Sequence, residues 1–146
     1  MKLVIQRVKH ASVSVDGKVV NKIEKGLCVL VGVNVEDTIE DALKCAYKTL
    51  NLRIFDDENG VMNKSILDVG GEILSISQFT LQANTKKGHR PSYINAMRGE
   101  DAIKLYEAYN EELNKEIKTY PGVFGADMLV DIANDGPITI IIDTKE

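Results

Sequence analysis

Three short stretches hold the residues best equipped for chemistry. In Ser75-Ile76-Ser77-Gln78-Phe79-Thr80, small hydroxyls alternate with apolar side chains at strand period. A core-facing strand has little use for so many hydroxyls. The pattern therefore reads either as a strand with one end beside a polar cleft, or as hydroxyls satisfied on a solvent-facing side. Thr80 is a candidate nucleophile, although no histidine stands next to it in sequence to act as its base. The second stretch is residues 82–98, where Lys86, Lys87, Arg90 and Arg98 occur with no acidic residue. In a chain of net charge −4 that local excess suits contact with a few phosphates, and a solvated loop is the plainer alternative. The third is Gly136-Pro137, which reads as turn chemistry in a hairpin-like connection; its X-Pro bond is one where either peptide isomer is accessible.

Most common catalytic devices are missing. There is no Gly-x-Ser-x-Gly elbow, no Ser-x-x-Lys, no His-Glu-x-x-His, no Gly-x-Gly-x-x-Gly turn and no P-loop. The two histidines, His10 and His89, have no second His or Cys within helical or turn reach, so no metal is expected. Asp127, Asp131 and Asp135 share a strand face by period two but bring no stronger ligand with them. The two cysteines, Cys28 and Cys45, form no Cys-x-x-Cys pair and read as buried thiols.

The elements that must position these residues follow from periodicity. At 146 residues with 44% hydrophobic and 27% charged content, one domain is expected, covering residues 1–146. A slight negative charge excludes a protein that wraps long stretches of phosphate backbone, and the longest apolar run, Leu27–Val33, is far too short to cross a bilayer. With no signal-like N-terminus, a cytoplasmic protein is expected. Residues 2–8 read as a strand, and Val13 and Val15 alternate with serines before Asp16-Gly17, a hairpin signal. Leu27–Val31 is apolar on both faces and reads as a central strand. Ile39, Ala42, Leu43, Ala46, Tyr47 and Leu50 define a helix capped by Asp37 or Thr38. A second helix is expected from about Glu100 to Thr119, stopped by Pro121-Gly122. Further strands are expected over 72–81, 126–133 and 138–143, the last two joined through Asn134-Asp135-Gly136-Pro137. The fold class is thus α+β: a mostly antiparallel sheet or partial barrel with two main helices packed against it.

Four segments together resemble the D-aminoacyl-tRNA deacylases over essentially the whole chain. They are Gln6-Arg7-Val8 with Ala11-Ser12-Val13; Ser77-Gln78-Phe79-Thr80-Leu81; Gly88-His89-Arg90-Pro91-Ser92-Tyr93 with Ala96-Met97; and Gly122-Val123-Phe124-Gly125-Ala126-Asp127-Met128 leading to Asn134-Asp135-Gly136-Pro137-Ile138-Thr139. Tyr93 and Ile138 stand where the family has Phe and Val. The resemblance implies a homodimer that hydrolyses the ester of D-aminoacyl-tRNA, and of mischarged glycyl-tRNA, with tRNA as partner and no DNA or membrane contact. It implies a catalytic strand of Ser77, Gln78, Phe79 and Thr80, with Phe124 and Met128 in the substrate pocket and Lys86, Lys87 and Arg90 on tRNA. Gly136 and Pro137, joined by a cis bond, would enter the partner's pocket and exclude L side chains. No cofactor and no metal are implied, and the 2′-hydroxyl of the terminal adenosine would help to activate water. Two other classes stay open on the residues alone: a small-ester deacylase on the same scaffold, and a non-catalytic dimer that binds an RNA end or a metabolite.

Overall fold

The computed structural model describes residues 1–146. Its organising element is the first strand, β1 (Lys2–Val15), in which buried and part-buried residues alternate for most of its length, so that successive side chains enter opposite sides of the sheet. At Asp16-Gly17 both residues have positive φ, 50° and 78°, the backbone a two-residue primed hairpin turn demands. The chain returns as β2 (Lys18–Ile23), antiparallel to the second half of β1, and β3 (Gly26–Gly32) pairs antiparallel with the first half. β3 is buried on both faces, as its unbroken apolar sequence requires.

Helix α1 (Ile39–Asn51) starts in a capping box formed by Thr38 and Asp41. A small hairpin of β4 (Phe55–Asp56) and β5 (Met62–Lys64) and the single-turn helix α2 (Ile66–Val69) lead to β6 (Glu72–Ser77), which lies parallel to β3. Helix α3 (Gly99–Asn114) and the short strand β7 (Thr119–Pro121), parallel to β6, precede the last strand, β8 (Leu129–Asp143). The sheet order is β2-β1-β3-β6-β7, with β8 on the remaining edge of β1. Its two ends come together where Asn21 Nδ2 of β2 donates to the Pro121 carbonyl of β7 at 2.6 Å. The mixed, mostly antiparallel sheet thereby curls into a nearly closed barrel in one domain.

Two hydrophobic clusters follow from the alternation. Val8, Ala11, Val13, Ile23, Cys28, Leu74 and Ile76 form the smaller one. The larger lies between the opposite sheet face and helices α1 and α3, where Leu27, Val29 and Val31 meet Ala42, Leu105 and Tyr109. Tyr109 is fully buried, and its hydroxyl is satisfied at 2.9 Å by the hydroxyl of Thr49, which in turn donates to the Cys45 carbonyl. Both cysteines are buried as expected, and burial pushes the Cys28 thiol up to about 12 and the Cys45 thiol up to about 11.

Three elements differ from the sequence expectation. The second helix ends at Asn114 rather than near Thr119, because the Asn114 amide both accepts from the Thr119 N–H at 2.9 Å and donates to the Thr119 carbonyl, pinning the chain into a turn before β7. The strand expected over 72–81 stops at Ser77, and Phe79–Gln82 forms a 3₁₀ turn. The separate strands expected over 126–133 and 138–143 are one strand, β8, which begins only at Leu129. Asn134-Asp135-Gly136-Pro137 makes no hairpin, since both halves of β8 run the same way along β1. The register steps from Gln6 opposite Thr139 to Val8 opposite Asn134, so residues 135–138 bulge outward across from Arg7 alone. Asn134 pins the bulge, accepting from the Ile138 N–H at 3.0 Å and donating to the Thr139 hydroxyl at 3.1 Å. The Gly136-Pro137 bond within it is cis.

Candidate active site

A cavity of about 340 Å³ opens where the ends of β3 and β6 meet the loop that follows β7. Ser77, Gln78 and Phe79 form one wall, and Phe124 and Met128 line it together with Asp127. The parallel pairing of β3 with β6 sets this arrangement by placing Val31 opposite Ser77. Beyond Ser77 the Gln78 N–H donates to the Val31 carbonyl at 2.7 Å, and the chain then curls into the 3₁₀ turn.

The turn is held down from below. Gln82 is buried, and its side-chain amide donates to the Gly32 carbonyl at 2.9 Å and accepts from Asn34 Nδ2 at 3.1 Å. A Cβ on Gly32 would meet Leu81 Cβ at 2.8 Å and the Gln78 carbonyl oxygen at 3.0 Å, so only glycine lets the turn lie this close to β3. On the opposite wall the Phe124 ring rests against Tyr106 at 5.8 Å between centroids. The buried Tyr106 hydroxyl donates to the Ser75 carbonyl at 2.6 Å, and burial raises its pKa above that of an ordinary tyrosine.

Of the hydroxyl stretch, then, the Ser77 end does border a cleft, while Ser75 is fully buried. Thr80 stands just outside the lining, half-buried, and its hydroxyl receives a hydrogen bond from Gln78 Nε2 at 2.6 Å. Neither histidine is bonded to it; His10 lies on β1 and His89 on the loop, both exposed. The structure gathers no group of three or more His, Cys, Asp or Glu side chains placed to hold a metal ion.

Lys86, Lys87 and Arg90 are exposed on a loop that leaves the 3₁₀ turn directly. Two backbone hydrogen bonds between Asn84 and Ser92, of 2.8 and 2.9 Å, tie its base. Gly136 and Pro137 do not line the cavity of their own chain; they sit exposed on the β8 bulge. Asp127, which sequence periodicity placed on a strand face, precedes β8 and is the only ionisable residue lining the cavity. Its apolar surroundings, visible only after folding, make it stand out.

A family model described as D-Tyr-tRNA(Tyr) deacylase matches residues 4–143. The D-aminoacyl-tRNA deacylase of Bacteroides fragilis is 58% identical over 149 residues, covering 99% of this chain and 98% of the relative. That of Clostridium novyi is 54% identical over 147 residues, covering 100% and 99%. Among solved structures, one described as c-Myc DNA Unwinding Element Binding Protein superposes with a TM-score of 0.94 at 44% identity, covering 99% of both chains. Another, described as a probable eukaryotic D-amino acid tRNA deacylase, shares the fold with a TM-score of 0.82 at 16% identity over 97% of both chains. Identity of this order, sustained from one end of the chain to the other, means that the chain belongs to the D-aminoacyl-tRNA deacylases, hydrolases that act on aminoacyl-tRNA esters.

Proposed function

We propose that the protein edits D-aminoacyl-tRNA and glycyl-tRNA in the cytoplasm as a homodimer, with each cavity completed by the Gly136-Pro137 bulge of the partner. The observation that carries this reading is a cavity floored by Ser77–Phe79 that holds no nucleophile paired with a base. An aminoacyl ester is already activated, so its hydrolysis needs a placed water and a stabilised oxyanion more than a protein nucleophile. Water forms a bond to the ester carbonyl carbon, and the bond to the ribose 3′ oxygen breaks. One water proton ends on that oxygen, and the other leaves as the new carboxyl group ionises. The 2′-hydroxyl of the terminal adenosine helps to orient and activate the water, and the backbone of Ser77, Gln78, Phe79 and Thr80 receives the ester. Phe124 and Met128 enclose the amino-acid side, and Asp127 faces the α-ammonium, the one cationic group an aminoacyl ester presents.

Dimerisation is supported by β8, a 15-residue strand that pairs only with β1 and so leaves its other edge open. Such an edge, with Leu129 and Ile141 about two-thirds exposed on it (67% and 65%), calls for a partner. The bulge at Gly136-Pro137 sits on that same strand. Its backbone would narrow the partner's pocket near the substrate α-carbon, rejecting an L side chain by collision while a D side chain or hydrogen escapes. Lys86, Lys87 and Arg90 take the phosphates of the tRNA end. The test is release of free amino acid from D- and L-tyrosyl-tRNA by the purified protein: D-tyrosine should be freed far faster. Equal rates for the two enantiomers would overturn the reading.

A further inference from the structure

Phe79 lines the cavity yet is 56% exposed, so its ring stands at the mouth. The ring of Tyr93 meets it edge-on, with centroids 5.2 Å apart and planes at 68°. Tyr93 borders an open depression of about 510 Å³ with Ile94, Met97, Arg98 and Asp101, and Met97 also lines the cavity, so the two hollows lie side by side. Ile94 is 77% exposed, among the most exposed large apolar side chains of the chain. Tyr93 directly follows Ser92, one foot of the basic loop, so the apolar track leads from the cavity to Lys86, Lys87 and Arg90.

An exposed Phe79 ring and a half-buried Tyr93 ring beside a cationic loop match the arrangement by which proteins hold single-stranded nucleic acid: bases stack on the rings and phosphates follow the charge. A cavity of about 340 Å³ is at the small end of ligand pockets, which begin at roughly 300 Å³. It takes the aminoacyl end and leaves the preceding nucleotides outside. We infer that Tyr93, with the outer edge of Phe79 and with Ile94, forms a stacking platform for the unpaired nucleotide that precedes the terminal adenosine, and that Arg98 and the basic loop take its flanking phosphates. Asp101, on the α3 side of the depression, repels the backbone and so directs it toward the loop. The platform recognises a base face and carries no sequence preference of its own, because every base offers a π-face. This inference rests on the ester-hydrolase reading of the cavity, and the test separates the two.

Three substrates are compared: D-tyrosyl-tRNA, a short D-tyrosyl oligonucleotide with or without a base at the penultimate position, and D-tyrosyl-adenosine, which has no upstream nucleotide. Tyr93→Leu should raise KM for D-tyrosyl-tRNA and for the intact oligonucleotide roughly tenfold, the scale of one lost base stack, with kcat within about twofold. Tyr93→Phe should restore the wild-type KM. Removing the penultimate base should raise KM for the wild type and abolish its advantage over Tyr93→Leu, while D-tyrosyl-adenosine should be hydrolysed alike by both proteins. An equal loss on D-tyrosyl-adenosine would make Tyr93 part of the cavity wall and overturn the platform. So would a Tyr93→Leu protein with unchanged KM on tRNA, or a wild type indifferent to the abasic oligonucleotide. A wild type that hydrolyses none of these esters would instead remove the catalytic reading itself, and the platform with it.

Discussion

Arg7 Nε donates to the carbonyl of Asp135 at 3.2 Å, from the β1 position across which the β8 bulge opens. The other arm of the guanidinium donates to the Ile54 carbonyl at 2.9 Å, and carboxylates of Asp56 and Asp135 lie 3.5 Å away. A side chain only 10% exposed thus ties the residue before Gly136 to the body of the protein. Arg7→Lys keeps the charge but loses the planar fork, so it should weaken D-substrate turnover or chiral discrimination while the fold persists. Arg7→Ala should also lower stability by about 2 kcal/mol, a charged hydrogen bond being worth roughly 1.5–3. Gly136→Ala should act at the same place: φ is +128°, and a Cβ would meet Ile138 Cγ1 at 2.8 Å. Denaturation curves together with D- and L-tyrosyl-tRNA assays check all three. Unchanged discrimination in every variant would separate the bulge from selectivity.

Thr80 separates RNA-assisted from covalent hydrolysis. Its hydroxyl accepts from Gln78 Nε2 and has no base beside it. Thr80→Ala should therefore keep a measurable fraction of kcat, and a 2′-deoxy terminal adenosine should cost more than the mutation does. Near-complete loss in Thr80→Ala, with an acyl-enzyme trapped on the wild type, would establish Thr80 as the nucleophile.

Asp127 should respond to the charge on the substrate's amino group. Asp127→Asn is expected to raise KM for D-tyrosyl-tRNA roughly two- to fivefold, the range of a solvent-accessible ion pair. N-acetyl-D-tyrosyl-tRNA has no ammonium, so the two proteins should treat it alike. Equal effects on both substrates would assign Asp127 to the architecture of its loop.

Neutralising Lys86, Lys87 and Arg90 together should weaken tRNA binding and reduce the slope of log K against log salt by about two units, because each lost phosphate contact releases roughly 0.7–0.9 fewer counterions. Thermal melting should stay near wild type, since all three side chains project from an exposed loop. Affinity and slope both at wild-type values would leave the loop as ordinary solvated surface.

Burial raises the Cys28 and Cys45 thiols to about 12 and 11 from an ordinary 9.0. The folded chain then holds its thiol protons more tightly than the unfolded chain, so stability is fully present below pH 9 and declines between about pH 9 and 12 as the unfolded thiols ionise first. Urea titrations across this window should show a falling midpoint, and Cys28→Ala should flatten the fall even if it lowers stability overall. Alkylation should label both cysteines only in denaturant. Rapid labelling of the native protein at pH 8 would contradict their burial.

Local patterning alone determined much of this protein. The central strand β3, the Asp16-Gly17 hairpin and helix α1 with its Thr38 cap were legible because pleat period, primed-turn chemistry and helical period are properties of neighbouring residues. The Ser75–Thr80 stretch stood out by its own alternation but left two readings open, a polar cleft or a solvated face, while Phe124 and Met128 entered only through the family resemblance. Tertiary structure alone decided the rest. The chain bends at Phe79 because Gln82 finds the Gly32 carbonyl and Asn34, fifty and forty-eight residues back. β8 runs straight through Gly136-Pro137 because β1 is long enough to pair with both halves and Arg7 fills the gap between them, where turn propensity pointed to a hairpin. Asp127, itself exposed, became conspicuous only when folding set it on the rim of a cavity lined by apolar residues of β3, β6 and α3. Pairings between distant segments depend on which partner surface each strand and side chain meets, and a short window of sequence does not contain that partner.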